Sequence, residues 1–216
     1  MENKKYSCAI FDLDGVLVDT AKYHYLAWKS LADELGFDFT IEQNEALKGV
    51  SRMKSLDLLL GFGGLSDRFS QEEKEKMADK KNRIYVEMIK KLKKEELFGG
   101  VTDLFVKLKE KNMKTALGSA SKNAPLILER LDIAKYFDAV VDGTQVSKAK
   151  PDPEVFVRAA EILHIPCKEC IVFEDSAAGL QAAKTAGMKA VGIGKKENLP
   201  MADLVIGSVD QYIPYL

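Results

Sequence analysis

Apolar residues change their spacing along this chain, and each change marks a different kind of element. The first run, from Ser7 to Phe11, is short and continuous and reads as a strand that runs directly into Asp12. From there to about residue 95 the period is helical. His24, Trp28, Leu31 and Leu35 recur at helical spacing and Gly36 ends the run. A glycine-rich break (Gly61, Gly63, Gly64) precedes a long charged helix over about 71–94. Beyond about residue 101 short apolar runs alternate with amphipathic stretches. The pattern predicts strands at 114–118, 139–142, 170–173, 190–193 and 204–206, and helices at 101–111, 124–131, 153–163 and 177–186. Alternating β and α predicts a parallel sheet covered on both faces.

One strand, a helical stretch, then the remaining strands: the economical fold is α/β, with a doubly wound, Rossmann-like parallel-sheet core and an α-helical cap domain inserted after strand one. Residues 1–16 and 96–216 would form the core and residues 17–95 the cap. Ligands of such sheets sit outside the carboxyl ends of the strands, which places the expected site in a cleft between the two parts.

Composition narrows the classes. The 216 residues suffice for a sizeable core, and a net charge of −1 gives neither a nucleic-acid footprint nor a polybasic membrane patch. No apolar run approaches a membrane span and the N-terminus does not read as a signal segment, so a cytoplasmic protein is expected, without nucleic-acid or membrane partners. Cys167 and Cys170 form a C-x-x-C, but no second pair or nearby histidine completes a zinc site, and the pair precedes a strand instead of opening a helix after one; it reads as structural.

Four segments carry candidate chemistry. Asp12 and Asp14 end the first strand on one side, with Gly15 allowing a sharp turn; two carboxylates so close need a cation or a shared proton, and Mg²⁺ is the usual partner, although a plain Asp-Gly turn has the same letters. Ser119, Ala120, Ser121, Lys122 and Asn123 separate the next strand from a helix. They read either as a phosphate cradle or as a simple N-cap by Ser121 or Asn123. Lys150 is held extended by Pro151, and would otherwise pass for a surface lysine. Glu174 and Asp175 end a further apolar strand, where Asp175 could merely cap the helix containing Gly179.

Together, in this order, the four segments resemble the motifs of the haloacid dehalogenase superfamily, from strand one to about Gly194. The resemblance implies an aspartyl-phosphate enzyme using Mg²⁺. Asp12 would be the nucleophile and Asp14 the general acid and base. Glu174 and Asp175, with Asp12 and the Asp14 backbone carbonyl, would hold the metal. Ser119 and Lys150 would bind the transferring phosphoryl oxygens.

Within that superfamily the insert is similar to the β-phosphoglucomutase family, on the stretches 19–28, 47–52 with Ser55, and 80–82; SASKN at 119–123 fits as well. This implies a second, distal phosphate site formed by Arg52, Lys81, Ser121 and Asn123. Thr20 would sit at the hinge, and His24 would help to set the position of Asp14. Trp28, Gly49, Val50, Ser51, Ser55, Ala120 and Lys122 complete the implied substrate-binding set. The implied partner is a sugar phosphate bound by a monomer, with β-glucose 1,6-bisphosphate as intermediate. Without the family, Arg52 would read as a surface charge and His24 as a core histidine. Lys81 stands out independently: it falls in an apolar stripe of Met77, Ile84, Tyr85, Met88 and Leu92, where a lysine needs a partner or a route to water. The alternatives are a Mg²⁺-dependent sugar-phosphate phosphatase and a non-catalytic phospho-accepting switch similar to a response-regulator receiver, which needs neither the insert nor Asp14.

Overall fold

A computed structural model describes residues 6–47 and 50–216. Six parallel strands form one sheet in the order β3-β2-β1-β4-β5-β6. The strands are β1 (Cys8–Phe11), β2 (Lys114–Gly118), β3 (Ala139–Val141), β4 (Cys170–Glu174), β5 (Lys189–Ile193) and β6 (Leu204–Ile206). The central strand β1 pairs with β2 on one side and β4 on the other, so the chain winds outward in both directions from it. A crevice opens at such a switch point, and it lies where Asp12 leaves β1.

Strand alternation sorts the sheet's side chains into two cores. Ala9, Phe11, Leu117, Ile171 and Phe173 face one layer, which holds α5 (Val101–Glu110) and α6 (Ala124–Leu131). Cys8, Ile10, Ala116, Cys170 and Val172 face the other, packed on α7 (Glu154–Ile162) and α8 (Ala177–Thr185). Cys8 pairs in register with Cys170, and both are fully buried free thiols, so Cys170 is a core residue and not half of a redox pair with Cys167.

Between β1 and β2 the chain forms α1 (Ala21–Leu35), α2 (Ile41–Glu45), α3 (Arg52–Phe62) and α4 (Gln71–Ile89). They enclose a third core of Trp28, Leu31, Phe39, Leu56, Leu59 and Ala78. The segments that enter and leave this helical insert run side by side: Val18 bridges Leu97, and the Phe98 N–H donates to the Leu17 carbonyl at 2.9 Å.

The long helix differs from its sequence reading in two ways. It stops at Ile89 instead of about 94, because Leu92 turns back into the core beneath the sheet. Its buried face is Ala78, Lys81, Tyr85 and Ile89, while Met77 and Ile84 are only partly covered. No helix among the described residues is long and apolar enough to cross a membrane.

Candidate active site

The sheet side of the crevice is built on carboxylates. The Asp12 N–H donates to the Phe173 carbonyl at 2.9 Å, extending the β1–β4 ladder by one residue and fixing where its side chain emerges. Lys150 Nζ lies 2.5 Å from Asp12 Oδ1 and 2.8 Å from Glu174 Oε2, with all three side chains buried. The other Glu174 oxygen accepts from the Ser176 N–H at 3.0 Å and hydroxyl at 2.7 Å. A Cβ on Gly179 would strike this carboxylate, so the glycine makes room for it. Ser176, not Asp175, caps α8, which sets aside the capping explanation for Asp175.

Carboxylate oxygens of Asp12, Glu174 and Asp175 lie within 4.8 Å of one another. Gly15, at φ +82°, leaves room for the Asp175 side chain, which a Cβ there would strike. This all-oxygen, net-negative donor set fits a hard divalent cation. Burial pushes Asp12 well above the usual carboxylate range, against the pull of Lys150, and Glu174, Asp14 and Asp175 push it further. Burial alone would lower the Lys150 ammonium, but Asp12 and Glu174 outweigh it and hold the lysine above its ordinary range.

Asp14 sits two residues on, where its side chain accepts a hydrogen bond from the buried Thr20 hydroxyl at the start of α1. Burial raises its pKa, with the Thr20 bond opposing. Behind β2 the loop is held by successive hydroxyls. Ser119 Oγ accepts from the Ser121 N–H at 3.1 Å, and Ser121 Oγ from the Asn123 N–H at 3.2 Å. Asn123 makes no side-chain cap; its amide instead donates to Asn82 Oδ1 on α4 at 2.9 Å, across the crevice.

The helical side is built on cations. Lys81, 3% exposed, does not snorkel to the surface. Its Nζ lies 2.8 Å from His24 Nδ1 and sits 4.5 Å from the Trp28 ring centre and 4.9 Å from that of Tyr85. The His24 ring stacks on Tyr85 at 4.0 Å. Burial brings the Lys81 ammonium down to about 7, reinforced by Arg52 and opposed by Asp14. Burial, then Lys81 and Arg52, likewise hold His24 well below its usual range, so the ring is neutral and can accept from the ammonium. Arg52 opens α3, and its guanidinium lies 3.7 Å from an Asp79 carboxylate oxygen. Ser51 caps the same helix, and the buried Ser55 hydroxyl donates to the Ser51 carbonyl at 3.1 Å.

Both sides meet in a cavity of about 280 Å³. Asp12, Asp14 and Asp175 reach it from below; His24, Trp28, Val50, Ser51, Arg52, Ser55 and Lys81 from the helices; Ala120, Ser121, Lys122 and Asn123 from the loop after β2. Thr20, Ser119, Lys150 and Glu174 are buried and do not line it. Gly49 lies outside the described residues. Sequence reasoning gave no role to Asn44 and Asn82, or to Gly143 and the loop after β3, all of which line the cavity. A Cβ on Gly143 would hit the Ala120 carbonyl, so that loop packs directly on the serine turn. An apolar-period search passes over Asn44 because α2 is one turn long and shows no stripe.

A model of haloacid dehalogenase-like hydrolases matches residues 9–193, from β1 to the end of β5. The chain belongs to this family. It is 46% identical over 197 residues to a β-phosphoglucomutase of Bacillus subtilis, covering 91% of this chain and 87% of the relative. It is 32% identical to a phosphorylated carbohydrates phosphatase of Thermotoga maritima, covering 93% of this chain and 91% of that one. The crystal structure of a β-phosphoglucomutase from Clostridium difficile superposes with a TM-score of 0.92 at 44% identity, over 95% of this chain and 92% of the other. As in the family, the fold is a Rossmann-like parallel sheet carrying helices, and the chain is an enzyme of the phosphotransferase and isomerase kind.

Proposed function

We propose that this haloacid dehalogenase-like enzyme is a β-phosphoglucomutase, interconverting β-D-glucose 1-phosphate and glucose 6-phosphate through β-glucose 1,6-bisphosphate. The observation that carries the reading is that one cavity joins two differently charged ends: the acidic cluster at Asp12 and the cations Arg52 and Lys81. A bisphosphate has two phosphates to be held at once. An enzyme that only hydrolyses one has less need of the second end.

In this reading Asp12 accepts the phosphoryl group and Asp14 gives a proton to the leaving oxygen or takes one from the attacking hydroxyl, its raised pKa suiting the acid half of that role. Thr20 holds the Asp14 carboxylate in place. Asp12, Glu174 and Asp175 hold Mg²⁺, which would neutralise phosphoryl oxygens when bound. Ser119 and Lys150 support the phosphoryl-bearing end. Arg52, Lys81, Ser121 and Asn123 hold the distal phosphate, with Val50, Ser51, Ser55, Ala120 and Lys122 around the sugar. We take residues 1–16 and 96–216 as the core and 17–95 as a cap whose closure over the crevice keeps water from the phosphoaspartate.

A coupled assay of glucose 6-phosphate formation from each anomer of glucose 1-phosphate, with phosphate release followed in parallel, tests the reading. Glucose 6-phosphate should form from the β anomer, with little phosphate released, and only with Mg²⁺ present; Ca²⁺ should not substitute, since it favours more ligands and looser geometry. Stoichiometric phosphate release without isomerisation would favour the second reading, a sugar-phosphate phosphatase, to which the Thermotoga relative points.

A further inference from the structure

Asn44 is out of place by every local rule. It sits in the five-residue helix α2, a type of position that straight-chain residues fill better, and it is only 5% exposed among the apolar residues of the insert. The capping box of Thr40 and Gln43 fixes the helix: Thr40 Oγ1 accepts from the Gln43 N–H at 3.2 Å, and Gln43 Oε1 accepts from the Thr40 N–H at 3.0 Å. The Asn44 backbone is likewise committed, its N–H to Thr40 and its carbonyl to the Leu47 N–H at 3.0 Å. Its side-chain amide has no hydrogen-bond partner among the described residues, and it lines the cavity beside Trp28, Leu47 and Ser55. The amide is not sealed in the interior but opens into the cavity, where its hydrogen-bonding atoms are left for a ligand.

The chemistry of the amide narrows what it meets. A phosphate dianion presents only acceptors, and Arg52 and Lys81 already supply donors on this side of the cavity. An amide presents both an acceptor and donors, which complements a hydroxyl, itself donor and acceptor. Neighbouring Trp28 and Leu47 offer apolar surface suited to a sugar ring. We propose that Asn44 is a specificity-determining residue that reads one ring hydroxyl of the sugar between its two phosphate ends. The proposal rests on the sugar-phosphate reading of the cavity and adds the residue that chooses the sugar.

The test measures binding of glucose 6-phosphate and its 2-, 3- and 4-deoxy analogues by calorimetry, for the wild type, Asn44→Ala and the near-isosteric Asn44→Leu. In the wild type, removing the hydroxyl that Asn44 reads should weaken binding by about 10- to 100-fold. In both variants that one penalty should fall below about threefold while the penalties for the other hydroxyls persist, the signature of direct coupling. A ratio between analogues does not depend on the fraction of folded protein, so partial misfolding cannot imitate the result. Equal penalties in variant and wild type for every analogue would overturn the proposal, as would a wild type that binds no sugar phosphate. Binding is read without turnover, so a protein that proves to be a phosphatase refutes the mutase reading while leaving Asn44 to be judged on the same ratios.

Discussion

Among the described residues each side of the crevice buries one lysine, and the two are opposites. Lys150, on the sheet side, is held between Asp12 and Glu174 at 2.5 and 2.8 Å. Lys81, on the helical side, has a neutral histidine and two aromatic rings for neighbours and Arg52 as a like charge. Burial penalises both ammonium groups, but only Lys150 has carboxylates that reverse the penalty. The difference teaches what each half is prepared for. The sheet side is an acidic site already neutralised in part and suited to a cation; the helical side sets Lys81 against a neutral histidine and aromatic rings, where an anion would complement it.

The largest effects should come from the acidic side. Asp12→Asn should remove the nucleophile, abolish phosphoenzyme detectable by mass spectrometry and cut turnover by about 10⁴-fold or more. Asp14→Ala should cost about 10²- to 10⁴-fold while leaving Mg²⁺ binding, measured by calorimetry, largely intact. Near-normal turnover in either folded variant would remove the chemistry from this side altogether.

Stability should then separate the lysines. Lys150→Met leaves Asp12 and Glu174 buried without their shared counter-charge, and chemical denaturation without metal should show a loss of about 3–5 kcal/mol. Should Mg²⁺ restore part of that loss, the acidic side would be confirmed as a cation site; an unchanged midpoint would mean that the pair is energetically idle.

Next, Lys81→Ala and Arg52→Ala should weaken use of the sugar phosphate by about 10- to 100-fold each, the scale of a lost charged hydrogen bond. Phosphorylation of Asp12 by acetyl phosphate, which has no distal phosphate, should suffer far less, because remote binding serves orientation and closure, not bond breaking. Equal losses with both donors would erase the proposed division of labour.

The smallest effect carries a sign opposite to that of Lys150. Lys81→Met should stabilise the free enzyme at pH 6, where the buried ammonium is charged and has no carboxylate partner among the described residues. The folded-state pKa of Lys81, about 7, lies below the ordinary lysine value of 10.5. Its burial cost is therefore present in full below pH 7, where the lysine is charged in both states. The cost fades between pH 7 and about 10.5, where the unfolded chain holds the extra proton and stability rises with pH. Thermal unfolding of both proteins across this range should show the advantage of the variant shrinking as pH rises.

The residues at the strand ends were legible in the sequence because their signals are local. A short apolar run followed by Asp12, Asp14 and Gly15 announces a strand end and a turn within a few positions, and Glu174 and Asp175 repeat the form. β/α alternation and right-handed connections then limit the sheet to few arrangements, so parallel strands with a crevice at the carboxyl ends followed directly. Lys81 was visible too, as a charge interrupting an apolar stripe that was right at Tyr85 and Leu92, while Met77, Ile84 and Met88 are only half-buried and Ala78 and Ile89 take the covered places. On a helix offering Met77, Ile84 and Met88 as well as Ala78, Tyr85 and Ile89, the 3.6-residue period fits adjacent faces about equally, and only packing against α1, α3 and α6 selects one. Tertiary structure alone decided three further points: that Lys150 bridges carboxylates from two strands, that Asn123 reaches across to Asn82, and that the Asn44 amide opens into the cavity. Each joins residues far apart in the chain or depends on which side of a single helical turn is covered. Local propensity encodes neither, since both arise only when separate elements compete for the same buried surface.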